Sequence, residues 1–136
     1  MGKLLGIDYG AKRTGIAITD SMQIIASGLT TVDTHKLNDF ISNIVLKEDI
    51  ECFVVGDPKN LDGTCTDNTR DVNSFVKKLQ KLYPGILLRQ IDERFTSKIA
   101  KQSILASGIK KQARQNKALV DEVSATIILQ DYLDFR

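Results

Sequence analysis

Asp8, the Asp92 and Glu93 pair, and Asp121 are carboxylates that each stand where an apolar segment begins or ends. Acids brought together in a partly desolvated cleft repel one another, and hard divalent cations relieve that repulsion by binding the oxygens. Magnesium suits such a set, with manganese as the alternative, because it takes few carboxylates and keeps positions for water and a substrate phosphate. Two such ions about 3.5 to 4 Å apart can activate a water and stabilise the leaving oxygen during in-line attack on phosphorus. The expectation is that Asp8, Glu93 and Asp121 are catalytic metal ligands. Each acid also has a plain structural use, since aspartate caps turns and an acid suits the positive end of a helix. It is their combination that points to chemistry.

The cations are distributed to match. The formal net charge is only +2, yet no acidic residue occurs from Arg94 to Val120. Arg94, Lys98, Lys110, Lys111 and Arg114 in this stretch would hold phosphates flanking the cleft, and Lys12 and Arg13 would extend that track. The bland alternative is a solvated helix face and loop. Structured nucleic acid is the expected partner.

Other chemistries are poorly served. His35 is the only histidine, which removes multi-histidine metal sites, and it reads as a surface residue at a helix start. Cys52 and Cys65 are too isolated for a zinc motif or a disulfide framework, and Cys52 reads as core. No apolar run approaches the roughly 18 residues of a membrane span, and the opening residues lack a signal peptide's apolar stretch. A cytoplasmic protein without membrane association is expected.

The elements that must position these residues follow from periodicity. Leu4, Leu5 and Ile7 make a strand ending at Asp8, the segment 9–13 turns, and Thr14 to Thr19 returns antiparallel. A third strand is expected near Gly28 to Val32. Asp33 or Thr34 would cap a helix carrying Leu37, Phe40, Ile41, Ile44 and Val45. Cys52 to Val55 reads as a central strand covered on both faces. Val72, Phe75, Val76, Leu79 and Leu82 mark a second helix, which Pro84 and Gly85 close before a strand from Ile86 to Ile91. Thr96 would cap a short helix carrying Ile99, Ile104 and Leu105, with Gly108 at its exit, and a last helix runs from about Lys117 to Leu133.

This order implies an α/β fold: one mixed five-stranded sheet with helices on both faces, the first three strands antiparallel and the later two parallel to the first. At 136 residues and 42% hydrophobic content the chain can bury one core, so a single domain over 1–136 is expected. Asp8 and Glu93 then end at one edge of the sheet, where open α/β sheets present their ligands.

Four segments carry a family resemblance. Gly-Ile-Asp-Tyr-Gly-Ala-Lys-Arg-Thr-Gly-Ile-Ala at 6–17, Val-Val-Gly-Asp-Pro at 54–58 with Asp-Gly-Thr at 62–64, Asp-Glu-Arg-Phe-Thr at 92–96, and Asp121 in the final helix resemble the YqgF/RuvX family of pre-16S rRNA nucleases and Holliday junction resolvase homologues. The resemblance implies a ribonuclease H-like fold and a bacterial cytoplasmic nuclease that trims the 5′ end of 16S rRNA precursors, with junction resolution proposed for some members. Asp8 matches the acid of the first strand, Glu93 that of the Asp-Glu-Arg motif, and Asp121 that of the last helix. Asp57 stands where an apolar residue is usual. RNA trimming needs only a monomer, whereas cutting two opposed strands of branched DNA calls for a homodimer, at least a weak one.

Two rivals come from other classes. The first motif also resembles the phosphate-binding hairpin of actin-like ATPases, but those close two domains over a nucleotide and this length offers one. A module that binds structured RNA without cutting it would use its carboxylates only for the fold.

Overall fold

The computed structural model describes residues 2–57, 67–92 and 117–135, with the backbone alone at 67–69, 92, 117–121 and 135. Strand β1 (Lys3–Asp8) pairs antiparallel with β2 (Arg13–Thr19), which pairs antiparallel with β3 (Ala26–Asp33). A 3-10 turn (Thr34–Lys36) leads into α1 (Leu37–Lys47), then β4 (Ile50–Asp57), α2 (Asp67–Leu82), β5 (Leu87–Asp92) and α3 (Lys117–Phe135). The sheet order is β3-β2-β1-β4-β5, with β4 parallel to β1 and β5 parallel to β4. This is the mixed five-stranded sheet that the sequence implies.

The pleat of the central strands divides the core in two. Leu5 and Ile7 of β1 with Phe53 and Val55 of β4 face Leu37 and Ile41 of α1 and Val72, Phe75, Val76 and Leu79 of α2. Leu4, Cys52 and Val54 turn to the opposite face, where Ala125, Ile128 and Leu129 of α3 cover them. Continuous apolar runs are required at β1 and β4 because both faces of the sheet are dry there. Each fully buried Leu, Ile, Val or Phe contributes roughly 1.5–3 kcal/mol relative to its exposed state. His35 is exposed and Cys52 is buried, as their contexts suggest.

Four local expectations are corrected. Strand β3 begins at Ala26, two residues before Gly28, and bulges at Leu29, the extra residue between the pairs Ile16–Thr30 and Ala17–Gly28. Neither Asp33 nor Thr34 caps α1: the 3-10 turn intervenes, the N-cap is Lys36, and Asp33 makes no capping bond. Leu82 ends α2 as expected but at 54% exposure: the neighbouring Tyr83, four residues after the buried Leu79, takes the place against Phe53 of β4. Strand β5 begins at Leu87, one residue after Ile86. The helix expected after Thr96 lies outside the described residues. Among the described residues no helix is long and apolar enough to cross a membrane.

Candidate active site

Because β1, β4 and β5 are parallel, their C-terminal ends share one edge of the sheet, and each ends in an acid: Asp8, Asp57 and Asp92. The period of two separates these acids by face. Leu4 belongs to the α3 side, so Asp8, four residues on, takes that side too. Asp57 is in phase with Val55 and takes the α1 and α2 side. Ile91 packs in the α3-side cluster, so the end of β5 also contributes to that face.

Helix α3 runs antiparallel to β1 across the same face. The Gln130 side chain accepts from the Ala26 amide at 3.0 Å, beside the N-terminal end of β1, whereas Glu122 lies over Gly28. The helix therefore starts toward the Asp8 end. Position 121 stands in that opening stretch, one turn before Ala125, which is fully buried against the sheet. The approach is close because β1 has no side chain at residue 6: a methyl at Gly6 would stand 2.8 Å from Leu129 Cβ and 3.1 Å from the Ala125 carbonyl oxygen.

The β1–β2 turn, which carries Lys12 and leads into Arg13 at the start of β2, directly follows Asp8. Lys12 is exposed and Arg13 half-buried. Thr34 holds this turn. Its hydroxyl donates to the Gly10 carbonyl at 2.6 Å, its amide donates to the Lys12 carbonyl at 2.9 Å, and its Oγ1 lies 3.0 Å from Oγ1 of the fully buried Thr14. Residue 10 must be glycine for the turn to close, since a Cβ there would collide with the Arg13 carbonyl. Tyr9 turns to the other side of the sheet and stacks on Phe75 with ring centroids 4.7 Å apart. Burial, and secondarily the charge of Asp71, raises its phenol pKa above the ordinary value, so the hydroxyl stays protonated at neutral pH.

The structure thus places Asp8 and the backbone at 121 on one face of one edge, and Lys12 and Arg13 in the adjoining hairpin. Glu93, Arg94, Lys98, Lys110, Lys111 and Arg114 lie outside the described residues, and the side chain of Asp121 is not described. Among the described residues no three His, Cys, Asp or Glu side chains cluster closely enough to hold a metal ion. The donors offered at this edge are carboxylate oxygens; Cys52 is locked in the core and His35 sits exposed on the 3-10 turn. Oxygen donors of this kind fit a hard cation such as Mg2+. Sequence reasoning missed Thr34 as the anchor of the turn and Tyr9 as a residue packed across the sheet. For Tyr9 a signal existed, because the alternation of Leu5 and Ile7 continues to residue 9.

This strand order, with an acid closing the first strand and a helix returning across its face, defines a ribonuclease H-like fold. The chain superposes on Thermus thermophilus RuvC in complex with a Holliday junction substrate with a TM-score of 0.61, covering 98% of this chain and 96% of that one at 14% identity. A second Thermus thermophilus RuvC structure gives a TM-score of 0.53 at 11% identity, covering 93% and 91%. The chain belongs to the RuvX family, whose model, described as "RuvX: Holliday junction resolvase", matches residues 2–135. Its relatives include proteins named "Putative pre-16S rRNA nuclease" from Phocaeicola vulgatus, 55% identical over 134 residues (98% of this chain, 96% of that protein), and from Bacteroides fragilis, 52% identical over 134 residues (98% and 97%).

Proposed function

We propose that this chain is a magnesium-dependent endonuclease that processes the 5′ end of pre-16S rRNA in the cytoplasm, acting as one ribonuclease H-like domain. Relatives of 52–55% identity bearing the rRNA nuclease name support the substrate. The resolvase description of the family supports four-way DNA junctions as the second substrate. Trimming RNA needs one copy of the site, and junction resolution needs two in a symmetric dimer.

The observation that carries the reading is the position of Asp8 on the α3 face of the sheet edge, with position 121 in the opening stretch of the helix packed on that face. Asp8, Glu93 and Asp121 are the residues that would hold the metal. When bound, divalent ions in a carboxylate site of this kind supply an activated water and stabilise the leaving oxygen. The chain's cations bind and orient the substrate: Lys12 and Arg13 from the β1–β2 hairpin, and Arg94, Lys98, Lys110, Lys111 and Arg114 from the acid-free stretch, grip phosphates on either side of the bond to be cut.

The test is cleavage with magnesium of a precursor rRNA segment and a four-way DNA junction, each by the parent and by Asp8→Asn. The substitution keeps shape and removes a charge, so the fold and RNA binding persist while cleavage falls by roughly 100-fold or more. Equal cleavage by the two proteins overturns the assignment of Asp8. Unchanged RNA binding with no cleavage by the parent on either substrate would leave a binding module instead.

A further inference from the structure

On the face of the sheet opposite Asp8, a cavity of about 250 Å3 opens between the start of α1 and one stripe of α2. Asp71, Ser74, Phe75 and Lys78 recur at the three- and four-residue spacings that align side chains on a helix, and Leu37 and Asn38 face them from α1. Tyr9 closes the end nearest the proposed active edge; its ring stacks on the buried Phe75 with an interplanar angle of 23°, so the half-buried Tyr9 is the aromatic surface left to the cavity. Residues 8 and 9 are chain neighbours about 3.8 Å apart at Cα. The cavity therefore begins immediately around the sheet edge from the proposed catalytic carboxylate.

From this geometry we infer that the cavity is a nucleotide subsite, seating one base of the substrate strand against the Tyr9 ring, which Phe75 backs from the core. The ligand class rests on the nuclease reading above; the chemistry of the lining selects within it. Aromatic walls accept any base by its flat face. The amide of Asn38 and the hydroxyl of Ser74 can each donate and accept at a base edge. The Asp71 carboxylate can accept but not donate, so it favours a base bearing an exocyclic amino group, and cytosine over uracil in particular. Lys78 lies two turns, about 10 Å, along the helix from Asp71. The separation gives the cavity a polarity, with the base edge toward the carboxylate and the phosphate toward the ammonium. At 250 Å3 the space is smaller than the roughly 300–1,000 Å3 usual for larger ligands and suits a single nucleotide.

The test is titration of the isotope-labelled parent protein with CMP, UMP and ribose 5-phosphate, followed by amide and side-chain NMR shifts and run without divalent metal. CMP is expected to shift Asn38, Ser74 and Lys78 and to bind more tightly than UMP. Ser74→Trp, which fills the cavity from an exposed helix position, should weaken CMP by roughly tenfold, the scale of one base–aromatic contact. Shifts confined to Lys78, or equal for CMP and ribose 5-phosphate, would mean that phosphate alone is recognised and would overturn the subsite. Absence of any shift at Asn38 and Ser74 in the parent would overturn it equally, whatever the variant does. Cleavage plays no part in this measurement, so a failure of the nuclease assay and a failure of the subsite are separate results.

Discussion

Gly6 and Asp8 lie two residues apart on β1, on the same face, and would serve the proposed site in opposite ways. Asp8 supplies a carboxylate; Gly6 supplies the absence of a side chain, which lets α3 descend until Leu129 and Ala125 sit almost on the strand. The depth of that descent sets where the opening turn of α3, and hence position 121, meets the end of β1. Gly6→Ala inserts a methyl 2.8 Å from Leu129 Cβ and 3.1 Å from a backbone oxygen, and the backbone cannot rotate away as a flexible side chain would. Overpacking of this kind costs about 1–3 kcal/mol. Urea unfolding should show a lower midpoint with an unchanged slope. A midpoint equal to the parent's would mean that α3 rides over the strand without needing the glycine.

At the level of elements, the 3-10 turn before α1 links the far end of β3 to the loop beside the proposed catalytic edge. A threonine hydroxyl has one proton, and that of Thr34 is given to the Gly10 carbonyl, so Thr14 must donate to Thr34. Thr34→Val keeps the shape and leaves both partners short of a bond; with Thr14 fully buried, a cost of about 1–3 kcal/mol follows. Thr34→Ser restores the hydroxyl and should recover most of the loss, and faster amide exchange in residues 10–13 of the valine variant would locate the damage. Equal stability of the valine and serine variants would remove Thr34 as the anchor. This device explains where sequence reading stops. The strands, their directions and the two-sided core were legible, because apolar period and crossover handedness are local or nearly so. Thr34 reads as a helix cap from its neighbours alone, and only a partner 24 residues away, Gly10, reveals its real use. Likewise nothing local separates the exposed Leu82 from the buried Leu79 before it, since it is Tyr83 that packs on Phe53. Asp8 and Asp92 were legible as strand ends because each closes an apolar run.

For the whole molecule the question is how a chain of net charge +2 holds a polyanion. Its charges are segregated along the sequence: the stretch from Arg94 to Val120 carries seven cations and no anion, while the acids Asp8, Asp57 and Asp92 close the three parallel strands at a single edge. A carboxylate edge alone would repel phosphate, so binding before catalysis falls to the cations, and counterion release makes that binding salt-dependent. Replacing Lys110, Lys111 and Arg114 together with Ala should weaken binding of RNA and junction DNA alike. For a single strand, the plot of log affinity against log salt should flatten by roughly 0.7 for each cation that contacts a phosphate, or about 2 for all three. The measurement belongs in the Asp8→Asn background, where substrate stays intact and the lost carboxylate charge is common to both arms. An unchanged slope would remove the three residues from the interface and shift the phosphate contacts to Lys12, Arg13, Arg94 and Lys98, whose own substitution would then have to carry the effect.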